Sequence, residues 1–284
     1  MKGTGNNLLI DLHVHSSESD GTLSVTELVD HAVAHKVGIL ALCDHDTTSG
    51  LSLFHRYGAE KGITTIGGVE ISAEWQPGTC HILGLGFDKS AHDLEKALQR
   101  YRDDRIIRNE RILSGLTEAG FPVTVDELQA ASEGQAVSRN HIAAIMVHKK
   151  YVNSIQEAFD RFLAKGAVAY VERFRYSPLE AVTMIKEAGG VAVLAHPSQL
   201  NVSFEDLDRF ISGLQDVGLD GVEVFTPYAE DGFIQDVKML CRKRTLLITG
   251  GSDFHGTIKP GHLMGYYRDD TPIPEVCARG IPDR

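Results

Sequence analysis

Short apolar runs alternate with longer amphipathic stretches along most of the chain. Leu8-Leu9-Ile10, Val37 to Cys43, Ile63 to Ile66, Cys80 to Leu83, Val191 to Ala195 and Thr245 to Thr249 have the length and composition of buried strands, and a further strand is expected at 221–225. Helix-start signals fall between them. Ser24-Val25-Thr26-Glu27 and Ser177-Pro178-Leu179-Glu180 are capping boxes, the second with proline in the first turn and Gly189-Gly190 as its stop. The first helix carries Leu28, Val29, Ala32 and Val33 at helical spacing. This order predicts βα units and a parallel sheet.

One stretch breaks the alternation. From His92 to Gly120 the sequence is charged and helical, with an apolar stripe of Leu94, Leu98, Ile106, Ile107, Leu113 and Leu116. Thr124-Val125-Asp126-Glu127 caps another helix, and 138–149 and 154–163 read as helices. Residues 96–168 are therefore expected to form an all-helical insertion between two parts of the barrel, 1–95 and 169–284. Arginines 100, 102, 105, 108 and 111 read as a solvated helix face.

The chemistry sits at the ends of the apolar runs. Asp11-Leu12-His13-Val14-His15, followed by Asp20, puts two imidazoles on one side of a strand end. The second run leads into Asp44-His45-Asp46, the third through Gly67-Gly68-Val69 into Glu70, and the fifth into His196-Pro197. The last ends in Gly250-Gly251-Ser252-Asp253-Phe254-His255, while His81 opens its own run. Ligand types delivered repeatedly to one rim are what a βα-barrel metal site requires. Half-buried ionisable groups in such numbers need partners or metal ions to be tolerated.

Composition narrows the function. The length of 284 residues suits one large domain or a barrel with an insertion. No eighteen-residue apolar run and no leader-like N-terminus are visible, so neither a membrane span nor secretion is expected. Cys43, Cys80, Cys241 and Cys277 have no paired spacing, and the cytoplasm is the default location. A formal net charge of −11 argues against binding long nucleic acid. It leaves a small phosphorylated substrate open, because bound cations reverse the local sign.

Taken in order, these motifs resemble the PHP (polymerase and histidinol phosphatase) family of amidohydrolase-like metal hydrolases. The resemblance runs from residue 8 to about 256 and is nearest to stand-alone phosphoesterases, including 3′,5′-nucleotide bisphosphate phosphatases and cyclic-phosphate dihydrolases. It implies a distorted (β/α)7-type barrel with a helical lid, and two to three divalent ions (Mn, Fe or Zn). His13, His15, Glu70 and Asp253 would hold the first ion. Glu70 would bridge to a second, held with His81 and His196, and Asp20, His45 and His255 would hold a third. Glu70, Asp253 and His196 would border the reaction centre, where a metal-bridging hydroxide attacks phosphorus. Arg139 and His141 would hold the substrate phosphate; read without the resemblance, Ser138-Arg139-Asn140-His141 is equally a helix start capped by Ser138.

Other residues fall outside that set. Asp11, Asp44 and Asp46 either orient ligand rings or serve local turns and caps. His31, His35, His55, His92, His148 and His262 read as surface groups. Two features depart from the bisphosphate phosphatases: Ala164-Lys165-Gly166-Ala167 stands where they carry Gly-Lys, and no arginine follows His196-Pro197. Lys165 or Lys259 is the candidate replacement for a second phosphate contact. The alternatives weighed are C–N bond hydrolysis, histidinol-phosphate hydrolysis and a non-catalytic metal module.

Overall fold

A computed structural model describes residues 8–88, 92–132, 137, 139–268 and 270–283. Ser138, the expected cap beside Arg139, lies outside these residues. The described chain divides into two compact units, one of them Leu98–Phe174 and the other the chain to either side of it.

The larger unit begins β1 (Leu9–Val14), α1 (Val25–Ala34), β2 (Val37–Leu42), α2 (Leu51–Lys61), β3 (Thr64–Ala73) and β4 (Cys80–Leu85). In β1 both faces are buried: Ile10, Leu12 and Val14 on one, Asp11 and His13 on the other. That is the pattern of a sheet covered on both sides. Both predicted capping boxes form; at α1 Ser24 accepts from the Glu27 amide and Glu27 reaches back to Ser24. Helix α1 buries Val25, Leu28, Val29 and Ala32. Val33, counted in the stripe from sequence, is 41% exposed because it falls on the outer side of the last turn.

The smaller unit is helical and takes most of α3 (His92–Glu118), with α4 (Val125–Ser132), α5 (Arg139–His148) and α6 (Ile155–Ala158), which runs on as a π-helical turn, Phe159–Leu163. Its core gathers Ile112, Leu113, Leu116, Ile142, Met146, Phe162 and Leu163. Ile106 and Ile107, expected in the apolar stripe, are exposed, while Tyr101 and Ile112 are buried. Arg108, read as solvated, is also buried and donates from Nε to the Val171 carbonyl at 3.0 Å. The extended segment after the π turn returns along α3, where the Phe174 amide donates to Asp104 at 3.0 Å. That return takes the unit to Phe174, six residues beyond the expected insertion.

The larger unit resumes with α7 (Pro178–Glu187), β5 (Val191–Leu194), α8 (Phe204–Asp216), β6 (Gly221–Phe225), α9 (Asp231–Arg244) and β7 (Leu247–Gly250). The seven strands form one sheet in sequence order. Pairing is parallel except on both sides of β4, which runs antiparallel to β3 and β5. The chain is thus α/β with a mostly parallel central sheet. The reversal of β4 explains why His81 opens its strand while the other candidate ligands follow theirs: the start of a reversed strand meets the ends of its neighbours. Register places Ser72 opposite His81. No helix among the described residues is long and apolar enough to cross a membrane.

Candidate metal centre

At the carboxyl ends of the parallel strands the core changes character. His13, His15, Glu70, His196, Asp253 and His255 are all at most 3% exposed. Glu70 lies inside β3 rather than at its end, because β3 outlasts its parallel partner: β2 pairs with it only to Gly67, and Gly68–Ala73 pairs with β4. Beyond β2, His45 makes an isolated bridge to Glu70.

Three overlapping groups of ligand atoms form, each with its members within 4.8 Å of one another: His13, His15, Glu70 and Asp253; His15, Asp20, His45 and His255; and His45, Glu70 and His81. His196 joins through Nε2, 2.9 Å from Glu70 Oε1, on the same oxygen that His81 Nδ1 approaches at 2.8 Å. All nine sequence candidates of the sheet unit therefore converge. Arg139 and His141 lie on the helical unit, where Arg139 Nη1 donates to the Leu163 carbonyl at 2.9 Å and its guanidinium lies 5.8 Å from the Tyr170 ring.

The donor set fits divalent ions. Ligand atoms about 2.1 Å from one ion lie roughly 3.0–3.4 Å from each other. His13 Nε2 and His15 Nε2 are 3.1 Å apart, each is 3.2 Å from Glu70 Oε2, and His15 Nε2 is 3.2 Å from Asp253 Oδ1. At these spacings the two imidazole nitrogens and the two carboxylate oxygens can share protons, and equally present four donors to one cation. Among the described residues, buried His15 Nδ1 and His196 Nδ1 find no hydrogen-bond partner. The mixed imidazole and carboxylate set suits Mn, Fe or Zn.

Outer partners fix the rings. Glu223, 1% exposed, accepts from His13 Nδ1 at 2.9 Å, which turns the Nε2 lone pair to the cluster. Its other oxygen accepts from the His196 amide at 2.8 Å. The Asp253 carbonyl accepts from His255 Nδ1 at 2.8 Å, freeing His255 Nε2 to face Asp20 at 3.3 Å. Asp44 accepts from the Ser16 amide and hydroxyl and from Ser19, and Asp46 from the Ser72 amide and hydroxyl. Neither caps α2, whose N-cap is Gly50 with no side-chain cap. Asp11 takes bonds from the Ser252 amide and hydroxyl, the Gly265 amide and the His13 amide. These carboxylates tie the loops after one strand to the next.

Three residues here have a left-handed backbone. His196 has φ 24°, Asp253 φ 51° and Asp46 φ 55°, conformations that side-chain-bearing residues hold only when the surroundings dictate them. Gly251 is obligatory for a different reason: a Cβ there would lie 2.2 Å from His13 Cβ and 2.7 Å from Glu223 Oε1.

The fields are strong without metal. Burial pushes His15 down, yet hydrogen bonds with Asp253 and Glu70 and their charges outweigh it and raise its pKa to about 9. His13 is likewise raised against burial, by the charges of Glu70, Glu223 and Asp253. Burial opposes ionisation of Glu70 and Asp253, but neighbouring imidazoles hold both well below the carboxylate range. His45 goes the other way, to about 4, through burial. Burial also lifts Asp11 to about 6 against its four donors.

Several members of this network are not evident from strand ends. Glu223 is a lone charge inside the apolar run Gly221–Phe225, which is itself the signal that would find it. Tyr228 and Lys259 arrive from loops and meet at Asp253, and His262, read as a surface group, turns in to donate to the Asp253 carbonyl at 3.1 Å. His31 and His55 are also half-buried: His31 stacks on Phe254 with ring centroids 5.0 Å apart, and His55 Nδ1 bonds Thr65 Oγ1 at 2.9 Å. His35, His92 and His148 are exposed or half-exposed, in line with the sequence reading.

Known proteins resemble this chain along most of its length. The PHP domain matches residues 11–165. A 3′,5′-nucleoside bisphosphate phosphatase from Chromobacterium violaceum is 34% identical over 94% of this chain and 93% of its own length. A 5′-3′ exoribonuclease from Haemophilus influenzae is 37% identical over 93% of this chain and 97% of its own. A solved structure described as a putative metal-dependent phosphoesterase from Bifidobacterium adolescentis superimposes with a TM-score of 0.77 at 28% identity, covering 96% of this chain and 94% of that one. With a signature spanning more than half the chain and relatives matched almost end to end, the chain belongs to the PHP family of phosphate-ester hydrolases.

Proposed function

We propose that this chain is a metal-dependent phosphoesterase that hydrolyses a phosphate ester of a small metabolite or nucleotide, of the 3′,5′-nucleotide bisphosphate or cyclic sugar phosphate class. The observation that carries this is the convergence of eight buried or half-buried imidazoles and carboxylates into three overlapping groups that share Glu70, His15 and His45, with His196 joined to them through Glu70. In this reading His13, His15, Glu70 and Asp253 hold one ion. Glu70 would also hold a second, with His81 and His196, and Asp20, His45 and His255 would hold a third. When bound, the ions supply an acidified water and offset charge on the phosphoryl oxygens.

The chain's own contribution is placement. Glu70 has two oxygens engaged on different sides, Oε1 with His81 and His196 and Oε2 with His13, His15 and His45. It can therefore set the spacing of neighbouring ions. Glu223 and the Asp253 carbonyl fix the tautomers of His13 and His255, so neither of these rings has to turn as substrate enters. Arg139 and His141 are proposed phosphate contacts because a guanidinium matches phosphate oxygens bidentately. The sheet is proposed to close as a distorted barrel, a reading supported by the bridge between Val14 and Phe254 that links the segment after β7 to β1. Cytoplasmic residence is supported by four buried free cysteines.

The exoribonuclease relative makes a 5′-phosphorylated RNA end a second substrate reading; the net charge of −11 favours the small molecule. The test is product release by Mn-loaded protein on a 3′,5′-nucleotide bisphosphate, a cyclic ribose phosphate, histidinol phosphate and a short 5′-phosphorylated RNA, with His13→Ala as control. Turnover of either of the first two, lost in the variant by more than about 100-fold, is expected. Preference for the RNA overturns the small-molecule assignment. No release from any of the four, with metal bound, overturns the phosphoesterase reading.

A further inference from the structure

Asp253 is gripped on two sides. Its Oδ1 faces the ligand cluster, 3.2 Å from His15 Nε2, 3.6 Å from His13 Nε2 and 3.4 Å from His255 Nδ1. Its Oδ2 faces away, where it accepts from the Tyr228 hydroxyl and from Lys259 Nζ at 2.7 Å. The two donors also bond each other, Lys259 Nζ to the Tyr228 hydroxyl oxygen at 2.9 Å. Tyr228 is itself wedged, its ring edge-on to His196 at 5.5 Å and to His262 at 5.2 Å, and its carbonyl accepts from Ser198 at 3.1 Å.

We propose that Tyr228 and Lys259 are positioning residues that hold Asp253 as a single-oxygen metal ligand by occupying its second oxygen. This deepens the metal-centre reading above and rests on it. A carboxylate rotates freely about its last torsion, which is broad and two-fold. Left with a free second oxygen, Asp253 can turn and chelate with both, adding a ligand where the site needs an open position for water and substrate. With Oδ2 committed to a hydroxyl and an ammonium, and the Asp253 carbonyl committed to His255 and His262, neither end of the residue can turn. Both donors lie on loops, outside the strand-end ligand pattern: Tyr228 follows β6, and Lys259 follows the single turn Gly256–Ile258. Lys259 commits two of its three N–H groups to this task, so its first duty is to the protein and not to a second substrate phosphate.

The test uses the full chain, stripped of metal and titrated with Co(II). Affinity comes from chelator competition, and coordination number from the visible absorption, which weakens as ligands are added. Tyr228→Phe is expected to absorb less per bound Co(II) than the wild type, the mark of an added ligand, while its metal-free form melts with the wild type. Lys259→Met is expected to shift the spectrum the same way and Lys259→Arg to restore it; this pair decides the matter if Tyr228→Phe folds poorly. Wild-type spectra in both Tyr228→Phe and Lys259→Met overturn the proposal. No substrate is present, so a wild type that binds Co(II) yet hydrolyses no phosphate ester overturns only the function proposed above. A wild type that binds no Co(II) overturns both.

Discussion

The helical unit closes over Ile112, Leu116, Ile142, Met146 and Phe162, all at most 4% exposed, whereas the rim of the sheet buries His13, His15, Glu70, Glu223 and Asp253 to the same degree. Burial alone is equal; its energetics are opposite. Each apolar side chain in the helical core gains about 1.5–3 kcal/mol by leaving water. Each charge at the rim costs several kcal/mol to desolvate, recovered only through well-placed partners. The helical core is thus a device for folding. The rim is tolerated within a fold that other residues maintain, namely the apolar faces of the strands beneath it.

The comparison is open to attack from both sides. Leu116→Ala should be the most damaging to stability, about 2–5 kcal/mol, measured by denaturant unfolding of the metal-free chain. Metal affinity, measured on the protein that remains folded, should hardly move; a parallel loss would show that the two units do not divide the labour in this way. Glu223→Gln should do the reverse. Metal affinity should fall about ten-fold, the low end for an outer partner of a ligand histidine, while metal-free unfolding shifts by about 1–3 kcal/mol, the cost of one buried acceptor lost. A stability loss as large as that of Leu116→Ala would break the contrast.

The smallest effect expected concerns pH. His15 has its pKa raised from 6.5 to about 9 in the fold, and His13 is raised too. The stability this contributes is fully present below pH 6.5 and is lost as pH rises through about 9. Metal-free protein should therefore melt at progressively lower temperature from about pH 6.5 to about pH 9. Because metal must displace those protons, the stabilisation on adding Mn should grow across the same interval. A melting temperature that is flat or rising in metal-free buffer would show that the imidazoles are not held charged by Glu70 and Asp253.

Much of the rim was legible because its residues sit where the hydrophobic pattern stops, and a histidine or acid there has few other uses. His81 was legible as a residue but not as geometry, since nothing in a short apolar run reveals that β4 is antiparallel. Glu223 was hidden by being inside a run instead of after it. Tyr228, Lys259 and His262 come from loops with no periodicity, and only tertiary contact unites them with Asp253. In the helical unit the pattern gave the helices but misjudged their faces. Ile106 and Ile107 match the spacing yet turn outward, and the extended segment to Phe174 is held by the α3 side chains of Arg108 and Asp104 through its backbone, which leaves no trace in that segment's own side-chain order.

The alternation in β1 has one last consequence. His13 and His15 reach the same group because they stand two positions apart at the end of β1, His13 within the strand and His15 just after it, and a slip of one residue against β2 would turn His13 to the opposite face. Such a slipped chain would still bury Ile10, Leu12 and Val14 within the sheet, since both faces of β1 are covered. Hydrophobic burial alone would therefore discriminate against it weakly. Ion uptake discriminates sharply. Ion loading would then act as an inspection step on assembly: only a correctly threaded strand would bring His13 and His15 to the ligand group and gain the thermal protection that binding confers.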